Sequence, residues 1–302
     1  MTTKSSIYAG TRRRSRFSMT SAEMKFLLFL FMVLLFLPML VQEIAQPRYV
    51  LIIKDKFKKG SPVLHADMDF NLQATIYAST KPFVGRIATL QKGLVITYKD
   101  KPIIGDGFGI GVPIVHKNGT PWLASRAKIG RFTRGDTVIL AKVYYFDTIE
   151  TDKEIPRLRY RRQKKWFTRI RVNYFIYRNR IDVVADLRDA QKKGAEIVYF
   201  MNELSGRLFR YAITQNRRKL DLLNWQLAPS GLVGLVSSKL NLILWVQCDD
   251  TWDRFLGREV LSSWKWYGHT SSDWAGYVIG VPKIPAIFQY TVFFKRTAPD
   301  RP

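Results

Sequence analysis

Residues 171–187 read RVNYFIYRNRIDVVADL, and this stretch decides the fold class of the chain. Apolar and polar side chains alternate over RVNYFIY and alternate again over IDVVADL. Because successive side chains of a strand point to opposite faces of a sheet, such alternation is typical of a half-buried β-strand. Asn179 stands between the two runs, where a tight turn favours a residue that tolerates positive φ. The stretch therefore predicts a β-hairpin.

The same character continues over most of the chain. About thirteen short runs rich in β-branched and aromatic residues are separated by Gly, Pro and Asn-Gly, a pattern typical of strands. Asn118-Gly119 lies between VPIVH and WLASR, which predicts a second hairpin with a type I′ turn. The predicted fold class is therefore all-β: a large antiparallel β-sandwich of two packed sheets, with a single N-terminal transmembrane helix.

Helix is expected in only two places after the N-terminal segment. Residues 187–194 have room for one or two turns that end at Gly194, and residues 249–263 have room for another. The polar stretch at residues 148–165 is either a boundary between two small β domains or a long loop within one domain. Both interpretations are economical, and we favour one cooperative unit.

The most apolar segment lies near the N-terminus. Residues 26–41 read FLLFLFMVLLFLPMLV, and as a helix they would span about 24 Å, slightly less than the ~30 Å hydrocarbon core. A basic flank before such a segment holds that end in the cytoplasm. The protein is therefore predicted to cross a membrane once, with its C-terminal domain outside the cytoplasm. The flanking basic residues are Arg12, Arg13, Arg14, Arg16 and Lys25.

This topology divides the chain into three parts. Residues 1–25 form a basic cytoplasmic segment, residues 26–44 a transmembrane anchor or signal segment, and residues 45–302 an extracytoplasmic β-sandwich domain. A cleaved signal peptide is the alternative to an anchor, because the apolar run is short for a membrane helix. A cut after Ala45 would place Glu43 at the −3 position, where a small residue is favoured. In both cases the domain is exported.

Charge indicates the kind of partner. The chain contains 49 Lys and Arg against 24 Asp and Glu, a net charge of +25. Such a field attracts polyanions: acidic lipid headgroups, acidic glycans or nucleic acid. Beyond the membrane itself, the expected partners of an exported domain are an acidic glycan, an envelope protein or anionic lipid headgroups, and nucleic acid is not expected. A generally basic proteome is the alternative explanation.

An arginine-rich segment with interleaved aromatic residues is the candidate polyanion site. Arginine beside an aromatic ring binds phosphate or carboxylate groups while the ring stacks on a sugar or base. The alternative is a solvated hairpin whose charges keep a strand edge from pairing with other chains. The candidate polyanion-binding residues are Arg157, Arg159, Arg161, Arg162, Lys164, Lys165 and Trp166.

A second candidate site is rich in tryptophan and acidic residues. Five of the eight tryptophans lie in residues 245–274. Aromatic faces stack on the C–H faces of pyranose rings, so this composition favours carbohydrate, and the alternative is a tryptophan-rich core. The same carboxylates would serve a glycosidase, which needs two carboxyl groups roughly 5–10 Å apart. The candidate ligand-binding residues are Asp249, Asp250, Trp252, Asp253, Trp264, Trp266, His269, Asp273 and Trp274.

Other motifs carry less weight. Asn118-Gly-Thr120 is an N-glycosylation sequon on a predicted hairpin tip. No histidine has another at metal-ligand spacing, and His65, Asp67 and Asp69 are interpreted as the solvent face of a polar strand. The run GDGFGIG at residues 105–111 is interpreted as a flexible turn or bulge, because no helix follows it to bind a phosphate. Cys248, the single cysteine, is expected to be buried, and no metal or cofactor is expected.

These observations favour a membrane-anchored extracytoplasmic binding or structural module of the cell envelope that engages carbohydrate or another polyanion. The alternative is a carbohydrate-active enzyme, a glycoside hydrolase or a lyase-like protein, with its cleft at residues 245–274. Residues 245–274 alone do not decide whether the protein is an enzyme, since a sequence does not report the distance between two carboxylates.

Overall fold

The computed structural model describes residues 62–77, 90–99, 101–104, 108–134, 137–152, 159–222, 226–248, 254–259 and 274–297. All of them belong to the unit formed by residues Val50–Pro302. The predicted transmembrane helix at residues 26–44 lies outside the described residues, so its prediction stands untested. Within the described ranges, no helix has the length and apolar character needed to cross a membrane.

The described residues form nineteen strands and one short α-helix, α1 (Arg188–Lys192), with 3-10 turns at Asp69–Asn71 and Ser238–Leu240. The strands are β1 (Pro62–Met68), β2 (Leu72–Tyr77), β3 (Leu94–Tyr98), β4 (Lys101–Ile104), β5 (Val112–Lys117), β6 (Thr120–Arg134), β7 (Thr137–Asp152), β8 (Arg159–Arg162), β9 (Thr168–Ile176), β10 (Arg180–Asp186), β11 (Ile197–Ser205), β12 (Tyr211–Thr214), β13 (Lys219–Leu220), β14 (Gln226–Leu227), β15 (Leu232–Ser237), β16 (Leu242–Gln247), β17 (Arg254–Glu259), β18 (Trp274–Val281) and β19 (Ile287–Arg296).

The all-β prediction is confirmed, but the prediction of two separate sheets is not. Hydrogen-bonded pairing joins all the described strands into one sheet. One row runs β7–β9–β10–β19–β16–β15–β12–β13, and a second runs β5–β11–β18–β17–β14, with β1 to β4 attached through the pair Leu204 and Ile104. The long hairpin β6–β7 joins the rows, because β6 pairs with β5 at residues 120–122 and with β7 at residues 122–134.

Both rows contribute to one hydrophobic core. Its members include Tyr174 and Val183 from the first row and Phe200 and Ile279 from the second. Along β9, every second residue from Thr168 to Ile176 is buried. The alternation of residues 171–187 is therefore the pattern of burial, and it places the polar side chains of β9 on the solvent side.

Both predicted hairpins are confirmed. In β9–β10, Ile176 pairs with Ile181, although Asn179 is not among the described residues with positive φ. In β5–β6, Asn118 and Gly119 have φ of 51° and 68°, as a type I′ turn requires. The strands of the hairpin β6–β7 have 15 and 16 residues, longer than the short runs predicted from the sequence.

The two helix predictions had opposite outcomes. The first is confirmed by α1, followed by Gly194 with φ of 68°. The second is wrong for β17, which is a strand with Leu256 buried in the core. Both edges of β17 are occupied, by β14 and by β18, and sheet pairing of this kind overrides a weak local preference. In the polar stretch at residues 148–165, residues 148–152 are the end of β7 and residues 159–162 form β8, which pairs with β7.

Candidate polyanion-binding site

The predicted basic segment is on the surface where the structure describes it. Arg161 and Arg162 lie in β8 opposite Ile149 and Thr148 of β7, and both arginines are exposed. In the connection to β9, Lys164 and Lys165 are exposed, and Trp166 has 39% of its surface exposed. Arg159 is the first residue of β8, and Arg157 lies outside the described residues.

Strand pairing brings further cations to this segment. Tyr145 of β7 lies opposite Arg126 of β6 and opposite Arg169 of β9. One step further along the sheet, Val143 lies opposite Lys128 and Arg171. Residues directly opposite in an antiparallel pair project on the same face. Arg161 and Arg162 are successive residues of β8 and project on opposite sides of that strand, and Arg162 is the one that contacts Asp147. We call the surface formed by Arg126, Lys128, Tyr145, Arg162, Lys164, Lys165, Trp166, Arg169 and Arg171 the cationic face.

A buried carboxylate lies at the centre of the cationic face. The side chain of Asp147 is fully buried, and its Oδ2 accepts hydrogen bonds from Nε of Arg126 at 2.7 Å and from Nε of Arg162 at 3.3 Å. Ser125 donates to Oδ1 through its backbone nitrogen and its hydroxyl, both at 2.9 Å. Since a buried charge is costly unless it is paired and hydrogen-bonded, these contacts are what keep Asp147 in place.

The two arginines remain largely accessible while they hold this carboxylate. The side chains of Arg126 and Arg162 are 43% and 57% exposed. Because both Nε atoms contact the same oxygen, the two guanidinium groups are neighbours. A guanidinium carries five N–H donors in a planar fork, so a contact through Nε alone uses only one of them. The arrangement fixes two guanidinium groups side by side at the surface.

An aromatic pair lies beside the arginines. The rings of Tyr145 and Trp166 contact edge to face, with centroids 5.8 Å apart and planes at 71°. Tyr145 is half-buried, with Arg126 on one neighbouring strand and Arg169 on the other. Aromatic rings and guanidinium groups therefore alternate across three adjacent strands.

The carboxylates next to the cationic face are already engaged. Asp186 accepts two hydrogen bonds from the guanidinium of Arg188, at 2.6 and 2.9 Å. Burial raises the pKa of Asp186, but the hydrogen bonds and charge of Arg188 outweigh that effect, so its pKa is lowered overall. Asp189 accepts hydrogen bonds from the hydroxyl of Thr168 and the backbone of Arg169, both at 2.9 Å. Among the described residues, the basic side chains of the face outnumber these two carboxylates and Asp147 together.

A buried lysine, Lys142, lies on the core side of β7, the strand that carries Tyr145 and Asp147. Nζ of Lys142 donates to the carbonyls of Lys92 at 2.6 Å and Tyr77 at 3.1 Å. Burial, together with the charge of Lys92, lowers the pKa of Lys142 to about 7. The hydroxyls of Tyr144 and Tyr174 lie 3.1 Å apart beside it, and burial raises the pKa of both. Lys142 thus belongs to the interior and adds nothing to the cationic face.

The second predicted site is almost entirely outside the described residues. Of its candidates only Trp274 falls within them, as the first residue of β18 opposite Ser205 and Glu259. The carbohydrate and glycosidase interpretations of this segment therefore stay predictions. Trp245, the first residue of this segment, is 9% exposed and stacks on Phe293 with ring centroids 6.3 Å apart, as a core residue would. The eight candidates outside the described ranges are Asp249, Asp250, Trp252, Asp253, Trp264, Trp266, His269 and Asp273.

The sequon lies in a turn, and the described part of the glycine-rich run is irregular. Asn118 is exposed at the tip of the β5–β6 hairpin. Gly109 and Gly111 have φ of 83° and 73°, and Ile110 between them forms an isolated bridge with Leu94, in agreement with a turn or bulge. Residues 105–107 lie outside the described residues. Asn202 accepts a hydrogen bond from the backbone of Gly111 at 2.9 Å, so this segment is part of the core.

The prediction for His65, Asp67 and Asp69 holds in part. His65 and Asp67 are exposed on β1, and Asp67 accepts a hydrogen bond from Gln73, but β1 ends at Met68 and Asp69 begins the 3-10 turn that follows. Cys248 is buried. Among the described residues there is no group of three or more His, Cys, Asp or Glu arranged for a metal ion.

Three comparisons relate the chain to known proteins. No protein-family model matches it, and no curated protein matches it. Solved structures that it resembles include the Slr1438 protein from Synechocystis sp. PCC 6803, with 10% identity and a TM-score of 0.36 over 82% of this chain and 100% of that one. HI1317 has 8% identity and a TM-score of 0.37 over 82% of this chain and 99% of that one.

A third structure, the heparinase III BT4657 gene product with methylated lysines, has 11% identity and a TM-score of 0.43. The match covers 85% of this chain and only 37% of that protein. At such scores and identities, none of these likenesses bears on function.

Proposed function

We propose that this protein is a membrane-anchored binding module of the cell envelope that engages polyanions through the cationic face. One observation carries the proposal. The registers of β6, β7 and β9 place Arg126, Lys128, Arg169 and Arg171 on one face of the sheet, and the exposed cations of the β8–β9 segment lie beside them. An acidic polymer that approaches this surface meets more basic than acidic side chains among the described residues.

The expected mode of binding is electrostatic attraction followed by hydrogen bonding. Exposed charges attract a polyanion over roughly 10 Å at 0.1 M salt. Close to the surface, the forks of Arg126 and Arg162 suit the planar or tetrahedral oxyanions of carboxylate, sulfate and phosphate groups. Asp147 holds both arginines through Nε, so less side-chain entropy is lost when an anion binds.

The location outside the cytoplasm is part of the same proposal. It is supported by the apolar run at residues 26–41 and by the basic residues before it. Protease treatment of intact cells, followed by detection of both ends of the chain, tests it. Degradation of the C-terminal domain from outside the cytoplasmic membrane is the expected result. Complete protection of that domain until the membrane is broken would contradict the location.

The binding itself is tested with the full chain in a nonionic detergent. We expect it to bind dextran sulfate and linear polyphosphate, with affinity that falls steeply between about 0.05 and 0.2 M salt as the charges are screened. Changing Lys164 and Lys165 together to Gln should weaken binding to both polymers. The matched control changes Lys219 on β13 and Lys239 before β16 to Gln. A loss of affinity as large as that of the Lys164 and Lys165 variant would contradict the proposed face.

A further inference from the structure

We infer that the cationic face contains a preorganised subsite for one acidic sugar residue. The guanidinium groups of Arg126 and Arg162 and the rings of Tyr145 and Trp166 form it. This inference rests on the proposed function and names its ligand: an acidic polysaccharide, in which each charge is carried on a ring. Two independent features of the cationic face support it.

The first feature is the paired arginines. Most surface cations have several rotamers and so bind anions without defined geometry. Here the buried Asp147 accepts from Nε of both arginines, at 2.7 and 3.3 Å, while about half of each side chain stays exposed. The two groups face one anion from fixed positions, which favours a planar carboxylate or a sulfate over a diffuse charge.

The second feature is the aromatic pair. Tyr145 lies one strand away from Arg126 and one strand from Arg169, a spacing of about 4.8 Å on each side. Trp166 contacts the ring of Tyr145 edge to face at 5.8 Å and has 39% of its surface exposed. A pyranose ring that stacks on these rings places its acidic substituent beside an arginine. A polymer without rings gains nothing from them.

The experiment compares polymers with and without rings. Dextran sulfate carries sulfates on pyranose rings, linear polyphosphate has no rings, and an oligothymidylate offers bases for stacking. We expect Tyr145→Leu and Trp166→Ala each to weaken binding of dextran sulfate by about tenfold, the size of one lost stacking contact, and to leave polyphosphate binding unchanged. Tyr211→Leu is the matched control, since Tyr211 is also half-buried with a lysine over its ring.

The arginine pair has its own variant. Arg162→Lys keeps the charge but loses the planar fork and the Nε contact with Asp147. Because sulfate and phosphate are both tetrahedral oxyanions, it should weaken binding of dextran sulfate and of polyphosphate, and more than Arg180→Lys does. Arg180→Lys is the control, because Arg180 also pairs with a carboxylate through Nε, at 3.2 Å, and is 47% exposed. Circular dichroism of each variant confirms that it is folded.

Each outcome separates the inference from the proposed function. Selective losses with dextran sulfate support the subsite. For the Tyr145 and Trp166 variants, equal losses with both polymers, or no loss with either, overturn the subsite and leave polyanion binding intact. A larger loss with oligothymidylate than with dextran sulfate assigns the rings to bases and also overturns it. Failure of the unmodified chain to bind any of the three polymers overturns the proposed function itself.

Discussion

Ser125 and Asp147 face each other at a point where β6 and β7 each contain one unpaired residue. The register passes from the pair Leu123 and Thr148 to the pair Ala124 and Phe146, and then to Arg126 and Tyr145. Asp147 and Ser125 are the two residues left without a partner in the ladder, and they bind each other at 2.9 Å. This double irregularity turns a carboxylate towards the arginines of the cationic face, as β-bulges at functional surfaces often do.

Loss of the Asp147 carboxylate should destabilise the domain. We expect Asp147→Ala to lower the free energy of unfolding by about 2–4 kcal/mol, because buried donors lose their acceptor and two arginines lose their shared counter-charge. Urea denaturation measures the change. Asp186→Ala is the control: it removes a more exposed ion pair with Arg188 and should cost about 1 kcal/mol or less. Equal costs would show that Asp147 is not a structural centre of this face.

Lys142 should give the domain a distinct pH dependence. Its pKa is about 7 in the folded protein against an ordinary value of 10.5, so between these values the unfolded chain binds more protons. Stability must therefore rise as the pH increases from about 7 towards 10.5, by at most about 1.4 kcal/mol per pH unit. The neighbouring hydroxyls of Tyr144 and Tyr174 stay protonated in this window, since burial raises their pKa.

Denaturation midpoints of two variants isolate this effect. Lys142→Met should abolish the rise in stability above pH 7, whereas Lys128→Met, at an exposed position of β6, should keep it. An unchanged slope in Lys142→Met would show that Lys142 titrates normally in the folded protein.

Gly276 should tolerate no side chain. A Cβ at this position would lie 2.3 Å from the backbone oxygen of Asn202, so β18 and β11 would have to separate. We expect Gly276→Ala to lower the free energy of unfolding by about 2–3 kcal/mol. Gly119→Ala meets no atom within 4 Å and carries only the strain of positive φ, about 1 kcal/mol. Thermal denaturation ranks the two, and the reverse order would contradict the close contact of these strands.

Two buried tyrosines should respond differently to loss of the hydroxyl. Oη of Tyr290 donates to Oδ1 of Asn202 at 2.6 Å, so Tyr290→Phe should cost about 1–2 kcal/mol. Oη of Tyr277 is buried and has no hydrogen-bond partner among the described residues. Tyr277→Phe should therefore be neutral or stabilising by up to about 1 kcal/mol. Chemical denaturation of both variants measures the contrast, and a large cost at Tyr277 would reveal a partner for its hydroxyl.

Local sequence patterns predicted most of the individual strands. The alternation in residues 171–187 corresponds to β9 and β10, and Asn118-Gly119 forms the expected turn. Pairing between distant strands was not predictable in the same way. Residues 254–259 have no strong alternation, and only their two partner strands make them a strand. The join between the two rows also depends on the length of β6–β7, which no local pattern indicates.

The same limit applies to the candidate site. The basic segment around Arg161 and Trp166 is visible as a cluster in the sequence. Arg126 is far from this cluster in the sequence, and only the register of β6 and β7 brings it to Tyr145. Asp147 sits in an apolar-looking strand, and its role follows from a bulge. The only trace of it in the sequence is a polar residue inside an otherwise apolar strand, which does not indicate which residues Asp147 binds.

The most direct test of the central claim maps where a polyanion binds. Hydrogen–deuterium exchange of the full chain is measured at low salt, with and without dextran sulfate. We predict slower exchange in β8, in the β8–β9 connection and at the start of β9, and no change in β12 and β13 at the far end of the same row. Protection confined to β12 and β13, with the cationic face unchanged, would contradict the account.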